Sequence, residues 1–121
     1  MFQIAYDYQQ AWPENEPLKV EIQLAHEIKI SPALAQRRAN GFLAGYVSMM
    51  VCSGPPTLLL GERPVWCVPA VLKLPEVGEV GSVGTVDIDA QTGDVLPLST
   101  PQIHRMQEIA HAIAAHFAND E

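Results

Sequence analysis

Apolar and polar residues alternate from the start of the chain. Phe2, Ile4, Tyr6 and Tyr8 fall on one parity and Gln3, Ala5 and Asp7 on the other, which is the period of a half-buried strand. The stretch AWPENEP, residues 11–17, breaks this pattern with two prolines and two glutamates and reads as a loop. Alternation then resumes for longer, with Leu18, Val20, Ile22, Leu24, Ile28 and Ile30 set against Lys19, Glu21, Gln23, Glu27 and Lys29. That predicts a second, longer strand, although Leu18, Ile22 and Ala25 also suit a short helix. Residues 1–30 are thus expected to form N-terminal strands.

The period changes at Ser31. Serine there suits an N-cap, and Pro32 suits the first helical position, where its missing amide hydrogen costs nothing. Ala35, Ala39, Phe42, Tyr46 and Met50 recur at helical spacing, with Leu43 and Val47 widening the stripe. The expectation is a main helix over 31–51 that covers the sheet. Gly41 and Gly45 inside it cost roughly 1 kcal/mol each against alanine, which implies close approach to a strand or second helix.

CSGPP ends that helix, TLLL follows as a short strand, and GERP turns the chain into VWCVPAVLKL. In the last segment Trp66, Val68, Ala70, Leu72 and Leu74 share a face. Pro69 cannot donate to a central ladder, so this strand is expected at an edge or with a bulge. A loop through Gly78, Gly81 and Gly84 leads to a strand over Val83 to Ala90, and DVLPL returns after a turn. Residues 57–98 thus read as antiparallel strands. A C-terminal helix over 100–118 follows, with Thr100 as cap, Pro101 at the first position and a stripe of Ile103, Met106, Ala110, Ile113 and Phe117. Two heptads are too few for a coiled coil, so the helix is expected to dock on the domain.

Strands, helix, antiparallel strands and helix in that order predict an α+β fold: a curved antiparallel sheet with a long central helix packed on it and a C-terminal helix. A parallel nucleotide-binding sheet needs helices between its strands, and the segment from Thr57 to Leu98 has no room for them. The 121 residues suit one domain, 1–121, that buries roughly two-thirds of its unfolded surface. Apolar residues make up 48% and charged residues 17%, which leaves apolar surface for a partner or for a homodimer. A net charge of -7 with seven Lys and Arg in scattered positions argues against nucleic acid and anionic membranes. The opening residues lack the basic start and apolar run of a signal peptide, and GFLAGYVSMMVC, residues 41–52, is about half a bilayer span. The expected location is cytoplasmic. Cys52 and Cys67 are too few and too far apart for a zinc knuckle or a Cys-x-x-Cys pair, and their Val, Met and Trp neighbours favour free thiols.

Candidate chemistry is sparse. Gly78, Gly81 and Gly84 run into a strand rather than a helix, no lysine follows, and Glu79 repels an anion, so a phosphate loop is disfavoured. DIDAQTG places Asp87, Asp89 and Gln91 at alternate positions, as an EF-hand begins, but offers Thr92 where the loop needs glycine and Leu98 where it needs a bidentate acid. A solvent-facing row of Asp87 and Asp89, with Val86, Ile88 and Ala90 inward, fits strand alternation better. DAQTGDV fits a tight turn, with Asp89 bonding its own backbone and Gly93 at a positive φ. On the last helix His104, Glu108 and His111 share a face and are the only metal candidates, though they lack a fourth ligand; no cofactor is expected. His26 gives no site alone, and His116 is the fourth histidine. No Gly-x-Ser-x-Gly elbow is present and neither cysteine has a histidine close in sequence, so no catalytic residue is assigned. A pocket between the main helix and the sheet is expected to draw its lining from Trp66, Tyr46 and Met50.

PVWCVPAVL, a loop, and GTVDIDAQTGDVL together resemble the strand pair of PepSY-like domains, in which a tryptophan-bearing strand precedes a strand ending in an Asp-x-x-Thr-Gly turn. Trp66, Val68, Gly84, Val86, Asp87, Asp89, Thr92, Gly93 and Val95 carry the resemblance, within residues 65–96. It implies a helix packed on an antiparallel sheet and a non-catalytic role in inhibiting or regulating another protein. The chain departs from those domains in Pro69 and in its two N-terminal alternating segments, and no neighbouring protease domain is expected. The leading expectation is therefore a protein-binding or regulatory module, acting as an antidote or inhibitor of a basic partner protein. The alternatives are a small-ligand-binding protein or enzyme with a helix-to-sheet pocket, and a metal-binding protein using the last helix.

Overall fold

The computed structural model describes residues 4–6, 18–21 and 25–118, with side chains from Ile28 to Phe117. In chain order the elements are β1 (Ile4–Tyr6), β2 (Leu18–Glu21), β3 (Ala25–Ile28), α1 (Pro32–Tyr46), β4 (Val51–Ser53), β5 (Thr57–Leu60), β6 (Val65–Leu74), β7 (Gly78–Asp89) and α2 (Thr100–Ala118). The α+β class expected from the element order is the one observed. β1, β5, β6, β4 and β7 form one antiparallel sheet, and β2 pairs with β3 in a separate hairpin. The long alternating run from Leu18 to Ile30 is thus not one strand. It folds back with Leu18 opposite Ile28; period-two alternation passes through a reversal when the residues on either side keep their parity.

β6 is the spine of the sheet. β7 lies along one side of it, from Val65 opposite Asp89 to Leu74 opposite Gly78. The other side carries β5 against Val65, Trp66 and Cys67, then β4 against Ala70, Val71 and Leu72. β4 and β5 are in effect one strand broken by Gly54, Pro55 and Pro56. That break is why Pro69 is tolerated at the centre of a sheet. Its carbonyl accepts from Gly54 N at 2.8 Å, so its main chain points at the break and its missing N–H deprives no ladder partner. The irregularity expected around Pro69 takes the form of register shifts between Ala70 and Val71 and between Leu72 and Lys73, where β7 supplies the extra residues.

One face of this sheet is the core. Trp66, Val68, Ala70 and Leu72 alternate inward with Leu58, Leu60, Val86 and Ile88, all buried. α1 covers them with Ala35, Ala39 and Leu43. Ser31 caps α1 by accepting from Leu34 N at 3.2 Å, and Pro32 occupies its first turn. The helix ends at Tyr46, short of residue 51, and at 15 residues is shorter than the 19-residue α2. Its buried line runs through 35, 39 and 43, so Tyr46 and Met50 lie on the surface. α2 docks beside α1 on the same sheet face. Gly84, opposite Ala70, and Gly81, opposite Leu72, face Met106 and Ile113 of α2. The cap of α2 is Ser99 rather than Thr100: Ser99 Oγ accepts from Gln102 N at 3.2 Å and Gln102 Oε1 accepts from Ser99 N at 2.7 Å. This is a reciprocal capping box. Among the described residues no helix is long and apolar enough to cross a membrane.

Candidate functional site

Trp66, Tyr46 and Met50 do not meet in one pocket. Trp66 is fully buried on the core face, where its indole N–H donates to the Ile30 carbonyl at 2.8 Å. A tryptophan with its polar edge satisfied and its ring enclosed is a packing residue. Tyr46 and Met50 stand outside the core at the end of α1. Strand parity places Trp66 inward correctly, but helical spacing of apolar residues cannot say which edge of a wide stripe is buried.

His104, Glu108 and His111 do share one face of α2, lining a shallow surface depression with Gln107 and Ala112. All three are exposed. Among the described residues no group of three His, Cys, Asp or Glu is placed to hold a metal ion. The His26 side chain lies outside the described residues.

The turn after β7 is built as its composition implies. Asp89 Oδ1 accepts from Gln91 N at 2.8 Å and Thr92 N at 3.0 Å, the Gly93 amide donates to the Asp89 carbonyl at 2.8 Å, and Gly93 takes φ +83°. The aspartates nonetheless do not form a solvated row. Asp89 is 8% exposed, held by the turn and 3.8 Å from Arg63 Nε. Asp87 is half-buried on the sheet face opposite the core, where it stands across from Cys67. Alternation assigns the correct face, but that second face is itself partly covered.

Around Asp87 the chain forms a cleft of about 400 Å³. Its walls are β7 from Val83 to Asp87, the segment Leu96–Leu98, and the α2 residues Gln102, Arg105, Met106 and Ile109. The second wall exists because Leu96 N donates to Asp87 O at 2.9 Å and the chain then leaves the edge of β7 at Pro97, which has no N–H to continue the pairing. Asp87 stands across from the Cys67 thiol, with Thr85 on the same face. Burial first, and then the Asp87 carboxylate, pushes the Cys67 thiol pKa up. A thiol held protonated beside an anion is a poor nucleophile, so this arrangement can bind but is ill-suited to covalent catalysis. Cys52 and Cys67 are both free. Spacing in the sequence does not reveal the cleft, since its walls come from three separated segments; the hint available was Pro97 after a returning strand.

A second feature is the turn from α1 into β4. Tyr46 is 63%, Met49 86% and Met50 47% exposed, and the Tyr46 ring stacks on Phe42 at 4.9 Å. The backbone beneath them is pinned: Lys73 N donates to Met50 O at 2.8 Å, and Gln107 Nε2 donates to Tyr46 O at 3.2 Å. Apolar side chains are therefore presented to solvent on a fixed main chain. Comparison with protein-family models, curated proteins and solved structures finds no match to this chain.

Proposed function

We propose that this protein is a non-catalytic binding module that regulates or inhibits a partner protein, docking it on Tyr46, Met49 and Met50. The observation that carries this reading is that cluster. Large apolar side chains grouped at one exposed turn lose water only when another surface covers them, and methionine adapts to varied contact shapes. The net charge of -7 favours a partner with a basic rim, since opposite fields speed encounter. Two free cysteines fit a reducing compartment. The hairpin's resemblance to PepSY-like domains points to the same class of role.

The test is affinity capture from the source cell by the wild-type chain and by Met49→Glu and Met50→Glu, whose side chains stand outside the core. One protein retained by the wild type and lost by both variants, with all three unfolding at the same temperature, is the expected result. Equal capture by all three, or recovery of a small molecule with no protein, removes the proposal. Sedimentation equilibrium of the wild type alone separates a second copy of the chain from a different partner.

A further inference from the structure

We infer that the cleft between β7 and α2 takes a short extended peptide of apolar–basic–apolar pattern, paired in β-fashion to Thr85. The inference follows from main-chain direction. In an antiparallel strand the N–H and C=O of one residue point to the same side, and successive residues alternate sides. Pro69 points toward Gly54, so its partner on β7, Thr85, points away from β6. Two residues on, Asp87 confirms the parity, because its outward carbonyl accepts from Leu96 N. Leu96 is the last residue to pair with this edge before Pro97 turns away. Thr85 thus presents an outward N–H and C=O in the wall of the cleft, and among the described residues no main-chain group bonds either one.

An open strand edge beside a helix receives peptides by strand addition, in which main-chain bonds give affinity and alternate side chains give specificity. The surroundings fix what those side chains are. A residue added opposite Thr85 directs its side chain to the face shared by Thr85, Cys67 and Asp87. Asp87 then lies diagonally at about 7 Å between Cβ atoms, within reach of a long side chain. Asp87 is half-buried and, among the described residues, forms no ion pair, not even with Arg105 across the same cleft, so that side chain is Lys or Arg. The two neighbouring residues of the peptide point the other way, toward Val83, Leu98, Met106 and Ile109, and are apolar. The bulge at Val83 breaks the regular edge beyond Thr85, which limits the paired segment to about three residues. This inference rests on the reading of the protein as a polypeptide-binding module, but uses a different surface from Tyr46, Met49 and Met50.

The test is NMR titration of the labelled protein with acetyl-Ser-Val-Arg-Val-Ser-amide. Hydrogen exchange at the Thr85 amide should be fast in the free protein and slow in the complex. Replacing the central arginine of the peptide by glutamate should weaken binding roughly fivefold or more, the scale of one charge contact. Methylating that arginine's backbone nitrogen should abolish it. Thr85→Pro, which removes an N–H from no existing ladder bond, should keep the fold and lose the peptide, while Met49→Glu should leave peptide binding intact. No shift at Thr85, or equal binding of the N-methylated peptide, overturns the inference. Either outcome leaves the capture experiment at Met49 standing on its own result.

Discussion

Asp89 organises the reversal after β7 through a single side chain. One oxygen receives two backbone amides, from Gln91 and Thr92, and the other lies 3.8 Å from the exposed Arg63 guanidinium. The amide contacts are short and shielded, whereas the ion pair is solvated on the arginine side. Asp89→Ala should therefore lower unfolding free energy by about 2 kcal/mol, and Arg63→Ala by less than about 1 kcal/mol, in urea titrations. Gly93 completes the turn at φ +83°, where an added Cβ would also sit 3.1 Å from Ile30 Cδ1. Gly93→Ala should cost about 1 kcal/mol or more, and an unchanged melting temperature would remove the turn's claim on glycine. Cys67 contributes a pH dependence of known sign. Its folded thiol pKa is raised, chiefly by burial and then by Asp87, so deprotonation is resisted in the fold and not in the unfolded chain. Stability should hold below the ordinary thiol pKa and decline as pH rises through the interval up to the folded value. Urea midpoints measured from pH 7 to 10 should fall less for Cys67→Ala than for the wild type.

Among the elements, those with a strict local signature were legible from sequence. β6 alternates Trp66, Val68, Ala70 and Leu72 inward, and Ser31 with Pro32 starts α1 where a cap and a first-turn proline dictate. The far end of α1 was not legible. Met50 and Val51 continue the helical stripe, yet Val51 is needed opposite Leu72 in β4, and pairing with β6 outweighs one more turn of helix. Likewise Gly78, Gly81 and Gly84 look like a loop but belong to β7, where α2 packs against the bare strand at Gly81 and Gly84. Met106 fills the space over Gly84, with Cγ 3.0 Å from where a Cβ would stand. Gly84→Ala should destabilise by about 1 kcal/mol or more, through crowding by Met106 and through the glycine's φ of +157°, and Met106→Ala should remove only the crowding share of that increment. Additive losses in the double variant would show that the glycine serves the strand rather than the helix contact.

For the whole molecule, charge and apolar surface act on different steps of association. The excess of acidic residues is spread along the chain and works over distances near a Debye length, whereas Tyr46, Met49 and Met50 act only on contact. If both serve one partner, ionic strength and patch mutations should separate in kinetics. Raising salt from 0.05 to 0.5 M, a range of about 14 to 4 Å in Debye length, should slow association while leaving dissociation nearly constant. Met49→Glu should do the opposite, since most effects of interface mutations fall on the dissociation rate. The two perturbations together should then multiply in affinity, each acting on its own rate constant. Biosensor traces of the captured partner in the four combinations would read this directly. A salt effect on dissociation as large as that on association would place charged groups inside the interface, and Tyr46 and Met49 at its margin.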